Sequence, residues 1–150
     1  MQMQLQVLVE AIAVGIYTVI IGTLVSFTTN QSSLFFFLTG FLKHGIGYWF
    51  HIEDYYCQYG VACRRNENTN NAKVQPAKVQ PAKVNPAKVK PISLFVLLLE
   101  CIGEGLLFIL FSFFFQTLPL PIALFLVGFF MHLFFEITGL HHLFCKYKCQ

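Results

Sequence analysis

FFFLTGFLKH, residues 35–44, returns as ALFLVGFFMH, residues 123–132, and reading the second as a copy of the first decides the fold. Phe37/Phe125, Leu38/Leu126, Gly40/Gly128, Phe41/Phe129 and His44/His132 coincide at a constant offset of 88, which persists to Cys57/Cys145 and Tyr59/Tyr147. Upstream, VLVEAIAVG (7–15) matches LLLECIGEG (97–105) at an offset of 90, through Leu8/Leu98, Glu10/Glu100, Ile12/Ile102 and Gly15/Gly105. The offset changes where a hairpin loop would lie, and loop length costs little. Phe and Leu coincidences say little in apolar segments. Composition does not supply the Glu, Gly, His and Cys matches. The chain reads as a duplication.

Of 150 residues, 56% are hydrophobic and 11% charged, and Phe occurs 18 times. A soluble domain carries roughly a quarter charged residues, and one small core could not hide this much apolar surface. The composition asks for a bilayer. Four runs are long enough to cross one: Leu5–Phe27, Ser33–Phe50, Pro91–Phe115 and Pro121–Leu140. A spanning helix needs about 20 residues. The fold class is therefore all-α, with four transmembrane helices as two tandem, parallel hairpins; the second and fourth should run on toward Cys57 and Cys145. MQMQLQ has no Lys or Arg and the apolar run behind it is too long for a signal-peptide core, so the first helix should be retained.

Residues 1–63 form the first hairpin repeat and 92–150 the second. Between them, 64–91 combine NENTNN with AKVQP, AKVQP, AKVNP and AKVKP. Proline every fifth residue blocks helix and central strand and favours an extended chain. This linker is either a disordered spacer or a basic strap lying along a partner. It holds seven of the ten basic residues: Arg64, Arg65, Lys73, Lys78, Lys83, Lys88 and Lys90. The connections TTNQS and QTLPL hold none. The positive-inside rule then places both termini and the linker on the cytoplasmic side. The net charge of +3 belongs to linker and tail, and no nucleic-acid-binding motif accompanies it.

Ionisable residues inside a bilayer cost several kcal/mol unless paired or wetted. The intramembrane polar set is Glu10, Lys43, His44, Glu100, Glu104, His132 and Glu136. Gly40, His44, Gly47 and His51 share one helical stripe, and Gly128, His132, Glu136 and Gly139 another. Ala11/Gly15 and Cys101/Gly105 are small pairs four apart that let helices approach closely. Folding each hairpin about its loop puts Glu104 level with His132, Glu100 with Glu136, and Glu10 near His51. Carboxylate and imidazole suit a proton or metal-ion path. They equally suit a buried interhelical network. Lys43 must snorkel or pair, and Glu10 is its candidate partner.

Cys57, Cys63, Cys145 and Cys149, with His141, His142 and His51, gather at the cytoplasmic ends. Zinc is one use for them, although the usual C-x₂-C pairing is missing. Disulfides are another, and a Cys57–Cys145 bridge across the pseudo-axis is conceivable. Cys101 reads as a packing residue. Tyr48, Trp49, Tyr55, Tyr56, Tyr59 and Tyr147 read as an interfacial aromatic belt. No phosphate-binding loop, dinucleotide fingerprint, nucleophile elbow or zinc-protease motif occurs, so no enzyme and no resident cofactor are expected.

The AKVxP array resembles the Pro-Ala-Lys-rich repeats of membrane and virion proteins of large icosahedral double-stranded DNA viruses, the chlorovirus type especially. That resemblance implies a minor structural protein of the virion's inner membrane, with the basic strap meeting capsid proteins. Sequence thus carries two functions: a structural anchor of an assembly to a membrane, or a small, oligomeric proton or metal-ion channel lined by the duplicated Glu and His.

Overall fold

A computed structural model of the chain describes residues 2–29, 32–63 and 92–149. Among these the structure is helical, without a strand. Helices α1 (Gln2–Ser26) and α2 (Ser32–Trp49) are followed by short α3 (Ile52–Tyr59); α4 (Leu94–Ser112) and α5 (Leu120–Thr138) are followed by short α6 (Leu140–Lys148). The ends are set locally. The Ser93 hydroxyl accepts the Val96 N–H to start α4, satisfying one orphan donor of the first turn. Pro121 sits in the first turn of α5, where its missing N–H costs nothing.

Helices α1, α4 and α5 are long and apolar enough to cross a membrane, and α2 falls short on that measure. Ser32, Ser33, Thr39, Lys43 and His44 dilute its 18 residues. The outer surface is apolar, with Phe27, Leu94 and Ile137 more than four-fifths exposed, as a lipid-facing surface would be.

Neither hairpin packs chiefly on itself. α1 lies mainly against α5, and α2 against α4. Gly15 admits the Phe125 ring, which would stand 2.7 Å from an added Cβ; Gly105 admits the Phe37 ring, which would stand 2.8 Å away. Ala11 and Cys101, one turn before these glycines, are buried. Toward the hairpin loops the core is dry: Ile21, Val25, Phe35, Phe36, Phe108, Leu124 and Val127 are all buried, with Met131 at its inner edge. The buried hydroxyls of Thr18, Thr39 and Ser112 donate to carbonyls of their own helices.

The second and fourth long helices do not run on to the cysteines. Each breaks at a left-handed residue, His51 (φ 56°) before α3 and Gly139 (φ 77°) before α6. The Gly139 position costs nothing for glycine; His51 accepts it, with its exposed ring 3.0 Å from Asp54.

Two disulfides tie α3 and its following turn to α6 and the residue after it: Cys57–Cys149 and Cys63–Cys145. The Cys57–Cys145 pairing is therefore not the one formed. First cysteine joins second across the halves, because Cα separations of 5.5 and 5.1 Å fall where a bridge can close. Bridging residues 92 apart removes loop entropy from the unfolded chain worth about 4–5 kcal/mol.

Candidate functional site: a polar chamber at the terminal end of the bundle

Between the dry core and the disulfides lies a cavity of about 470 Å³, walled by side chains from all six helices. Glu10, Val14 and Tyr17 stand at i, i+4 and i+7 on α1, the spacing that brings them onto one face. Val14 and Tyr17 line the cavity with Lys43 and His44 of α2, Glu100 and Glu104 of α4, and Met131 and His132 of α5. Short α3 contributes Glu53 and Tyr56, and α6 contributes His141, Phe144 and Lys148.

His44 is the centre of the chamber's polar wall. Its Nδ1 lies 2.7 Å from Glu104 Oε2. Its Nε2 faces Glu100 at 3.4 Å and Glu53 at 3.5 Å. Lys43 donates to Glu104, and Lys148 to Glu100. The Lys43 ammonium also stands 5.5 Å over the Phe108 ring, marking where the chamber meets the dry core. Tyr17 donates to the Lys43 carbonyl at 3.1 Å.

The opposite wall is more weakly paired. His132 Nε2 and Glu10 Oε2 face each other at 3.5 Å, and both are buried without a hydrogen-bond partner among the described residues. The other Glu10 oxygen accepts the Val61 N–H at 3.0 Å. The His141 ring lies 4.5 Å from that of His132 and 5.1 Å from that of Tyr56. Burial, with His132 adding to it, pushes the His141 pKa down to about 3. Its 3.2 Å contact with Glu136 is therefore a hydrogen bond from a neutral ring. Burial also pushes the Glu53 carboxyl up, against the pull of His44 and Lys148. One Glu53 oxygen, Oε2, has no hydrogen-bond partner among the described residues.

Five of the seven residues read as the intramembrane polar set thus line this chamber, Glu10 stands against His132, and Glu136 lies behind His141. Their partners differ from those inferred by folding each hairpin on itself. Lys43 pairs with Glu104 rather than Glu10, and Glu104 meets His44 rather than His132, because each helix packs mainly against the other half. Glu100 meets His44 and Lys148. Tyr55, Tyr59, Trp49 and Tyr147 are exposed, but Tyr56 turns inward against His141, His132 and Phe144. Sequence reasoning missed Tyr17, which the α1 periodicity could have found, and Lys148, for which no signal existed.

The sulfurs of Cys63, Cys145 and Cys149 come within 4.8 Å of one another. His141 belongs to the chamber instead, His142 is exposed and His51 pairs with Asp54. Cys101 is a buried free thiol. The basic strap, Arg64 to Lys90, lies outside the described residues. Comparison with known protein families, with characterised proteins and with solved structures finds no match.

Proposed function

We propose that this chain is an integral membrane protein of four spanning helices, made from two fused copies of a two-helix unit, that holds a small organic cation in a chamber open to one side. Four recurrences support the duplication. Gly15 on Phe125 recurs as Gly105 on Phe37; Glu10 beside His132 recurs as Glu100 beside His44. The two disulfides exchange under the same correspondence, as do the left-handed residues His51 and Gly139. Helix α2 then spans as its counterpart α5 does, and the basic linker and tail place the chamber end on the cytoplasmic side.

The observation that carries the function is an unbalanced carboxylate in a closed-ended cavity. The two ammonium groups are each committed to a glutamate, Lys43 to Glu104 and Lys148 to Glu100. Glu53 has no ammonium in direct contact: it faces the His44 ring at 3.5 Å and feels Lys148 only at longer range, and its second oxygen has no hydrogen-bond partner among the described residues. A buried carboxylate without a fixed cation takes a proton or a cationic ligand. The volume of about 470 Å³ falls in the range of small-molecule sites, well above that of a bare ion. Tyr56, Phe135 and Phe144 supply aromatic faces that favour an ammonium group. The apolar plug of Phe108, Leu124 and Val127 supports a one-sided site over a through-pore.

Binding of tetramethylammonium, an isosteric neutral alcohol and an isosteric carboxylate to the full chain in nanodiscs tests this. The cation should bind, the carboxylate should not, and Glu53→Gln should weaken cation binding at least tenfold. Preference for the carboxylate, or binding indifferent to Glu53→Gln, would sink the reading. A steady proton or metal-ion flux through proteoliposomes, lost on replacing His44 and His132 by Ala, would replace it with a channel.

A further inference from the structure

We propose that Cys57, Cys63, Cys145 and Cys149 form one four-thiolate site for a soft divalent cation when their bridges are reduced, so that metal takes over the disulfides' task of holding α3 to α6. The site is separate from the chamber and stands whatever the chamber binds.

Geometry carries most of the case. Cys63 Sγ already lies 3.8 Å from Cys149 Sγ, although the two belong to different bridges. Tetrahedral zinc with Zn–S near 2.3 Å separates its sulfurs by about 3.8 Å. One edge of the tetrahedron is thus in place, and a third sulfur, Cys145, completes a group within 4.8 Å. The fourth, Cys57, is bonded to Cys149. The cluster packs on Ala62, Tyr56 and Phe144, which gives it a dry shell. Four thiolates around a divalent cation keep a net negative charge, and Lys146 follows Cys145 at the next position.

A second argument, which rests on the orientation proposed above, is the conflict between charge and redox. Under that orientation, the basic residues put this end of the molecule in a reducing compartment, where disulfides are rarely kept. There the α3–α6 tie would fail unless something else bridged the thiols. Cys149 is the least buried of the four, so a dithiol reductant attacks first at the Cys57–Cys149 bridge. Each bridge takes two electrons and two protons from one dithiol, which is itself oxidised to a disulfide, and yields two thiols. Metal binding then releases the four thiol protons as the four sulfurs ligate.

The test uses the full chain in detergent, titrated with Co²⁺ or Zn²⁺ after exposure to a dithiol and its anaerobic removal, and in parallel without reduction. The reduced chain should bind one equivalent with the intense thiolate-to-cobalt charge-transfer absorption of a four-sulfur site. The oxidised chain should bind none at this site. Zn²⁺ should restore to the reduced chain the protease resistance of the oxidised one. Cys101→Ser should leave all of this unchanged, and Cys57→Ser should weaken binding at least tenfold. Absence of the charge-transfer band in the reduced wild-type chain overturns the proposal. So does binding that Cys101→Ser abolishes, or Zn²⁺ that fails to restore protease resistance.

Discussion

The α1·α5 and α2·α4 contacts both seat a glycine against a phenylalanine ring and a glutamate beside a histidine, yet they differ one turn further on. In α2·α4 that level holds the Lys43–Glu104 ion pair. At the matching positions of α1·α5 stand Met131 and Val14, both lining the same chamber. Under the duplication proposed above, the Glu–His pair is the shared element, and lysine and glutamate occur together in one of the two contacts only. The difference teaches that the charges are a unit. A buried ammonium and a buried carboxylate are tolerated as a pair, and either alone is not.

The sharpest way to break this comparison is Glu104→Gln. It leaves Lys43 buried without its carboxylate, and unfolding in detergent should show a loss of about 3–5 kcal/mol. Converting the level to its counterpart, with Lys43→Met and Glu104→Val together, should return stability to within about 1 kcal/mol of the natural chain or above it. A double variant as unstable as the single one would show that the two fillings are not interchangeable.

A smaller effect tests the shared frame. Gly15→Ala and Gly105→Ala each push a Cβ to within 3 Å of a phenylalanine ring and up against that residue's carbonyl oxygen, at 3.0 and 2.9 Å. Each should cost about 1–3 kcal/mol by overpacking, and the two costs should agree. A clear inequality in melting temperature would mean that the halves do not pack equivalently.

Next come the helix breaks. Gly139 has open space around its Cβ position, so Gly139→Ala should cost about 1 kcal/mol through backbone strain alone. His51→Gly, at the same break in the other half, relieves that strain and should gain up to about 1 kcal/mol. Opposite signs in the two unfolding curves check the assignment.

The smallest effect concerns Glu53 and His141, which hold corresponding positions on α3 and α6. Burial disfavours the charged form of both, with opposite consequences for pH. His141 has a folded pKa of about 3 against an ordinary value of 6.5, so its stabilisation is full above 6.5 and drains as pH falls from there toward 3. Between pH 7 and 6 the loss should be about 0.7 kcal/mol, and His141→Gln should remove it. Glu53 is shifted upward, so its contribution is present below 4.5 and drains as pH rises through its folded value. Denaturant midpoints measured across pH 5–7 separate the two slopes.

Much of this frame was legible in the sequence. The matched Glu, Gly and His residues are ones that lie at the helix contacts, and apolar run lengths located the long helices. The partner of Lys43 was not legible. Helical periodicity says which face of a helix is buried, but not which helix covers it. Folding each hairpin on itself therefore pointed to Glu10. The break at His51 was hidden because histidine is a far weaker left-handed signal than glycine, whereas Gly139 could have carried one. The chamber was hidden because Tyr56 and Lys148 reach it only after α3 and α6 turn back at those breaks. The two disulfide pairings followed from the same exchange of partners between halves.

That exchange also has a consequence for how the chain is made. In the spanning arrangement proposed here, α1 enters the bilayer carrying Glu10, and the histidine and the helix it packs against emerge only with α5. At ribosomal rates of about 5–20 residues per second, the interval is on the order of ten seconds. Throughout it, the first hairpin must sit in lipid with its glycine face open and its carboxylate unmet. A chaperoning insertase or a second nascent copy can each fill that interval, so the finished molecule bears the mark of a problem solved during its synthesis.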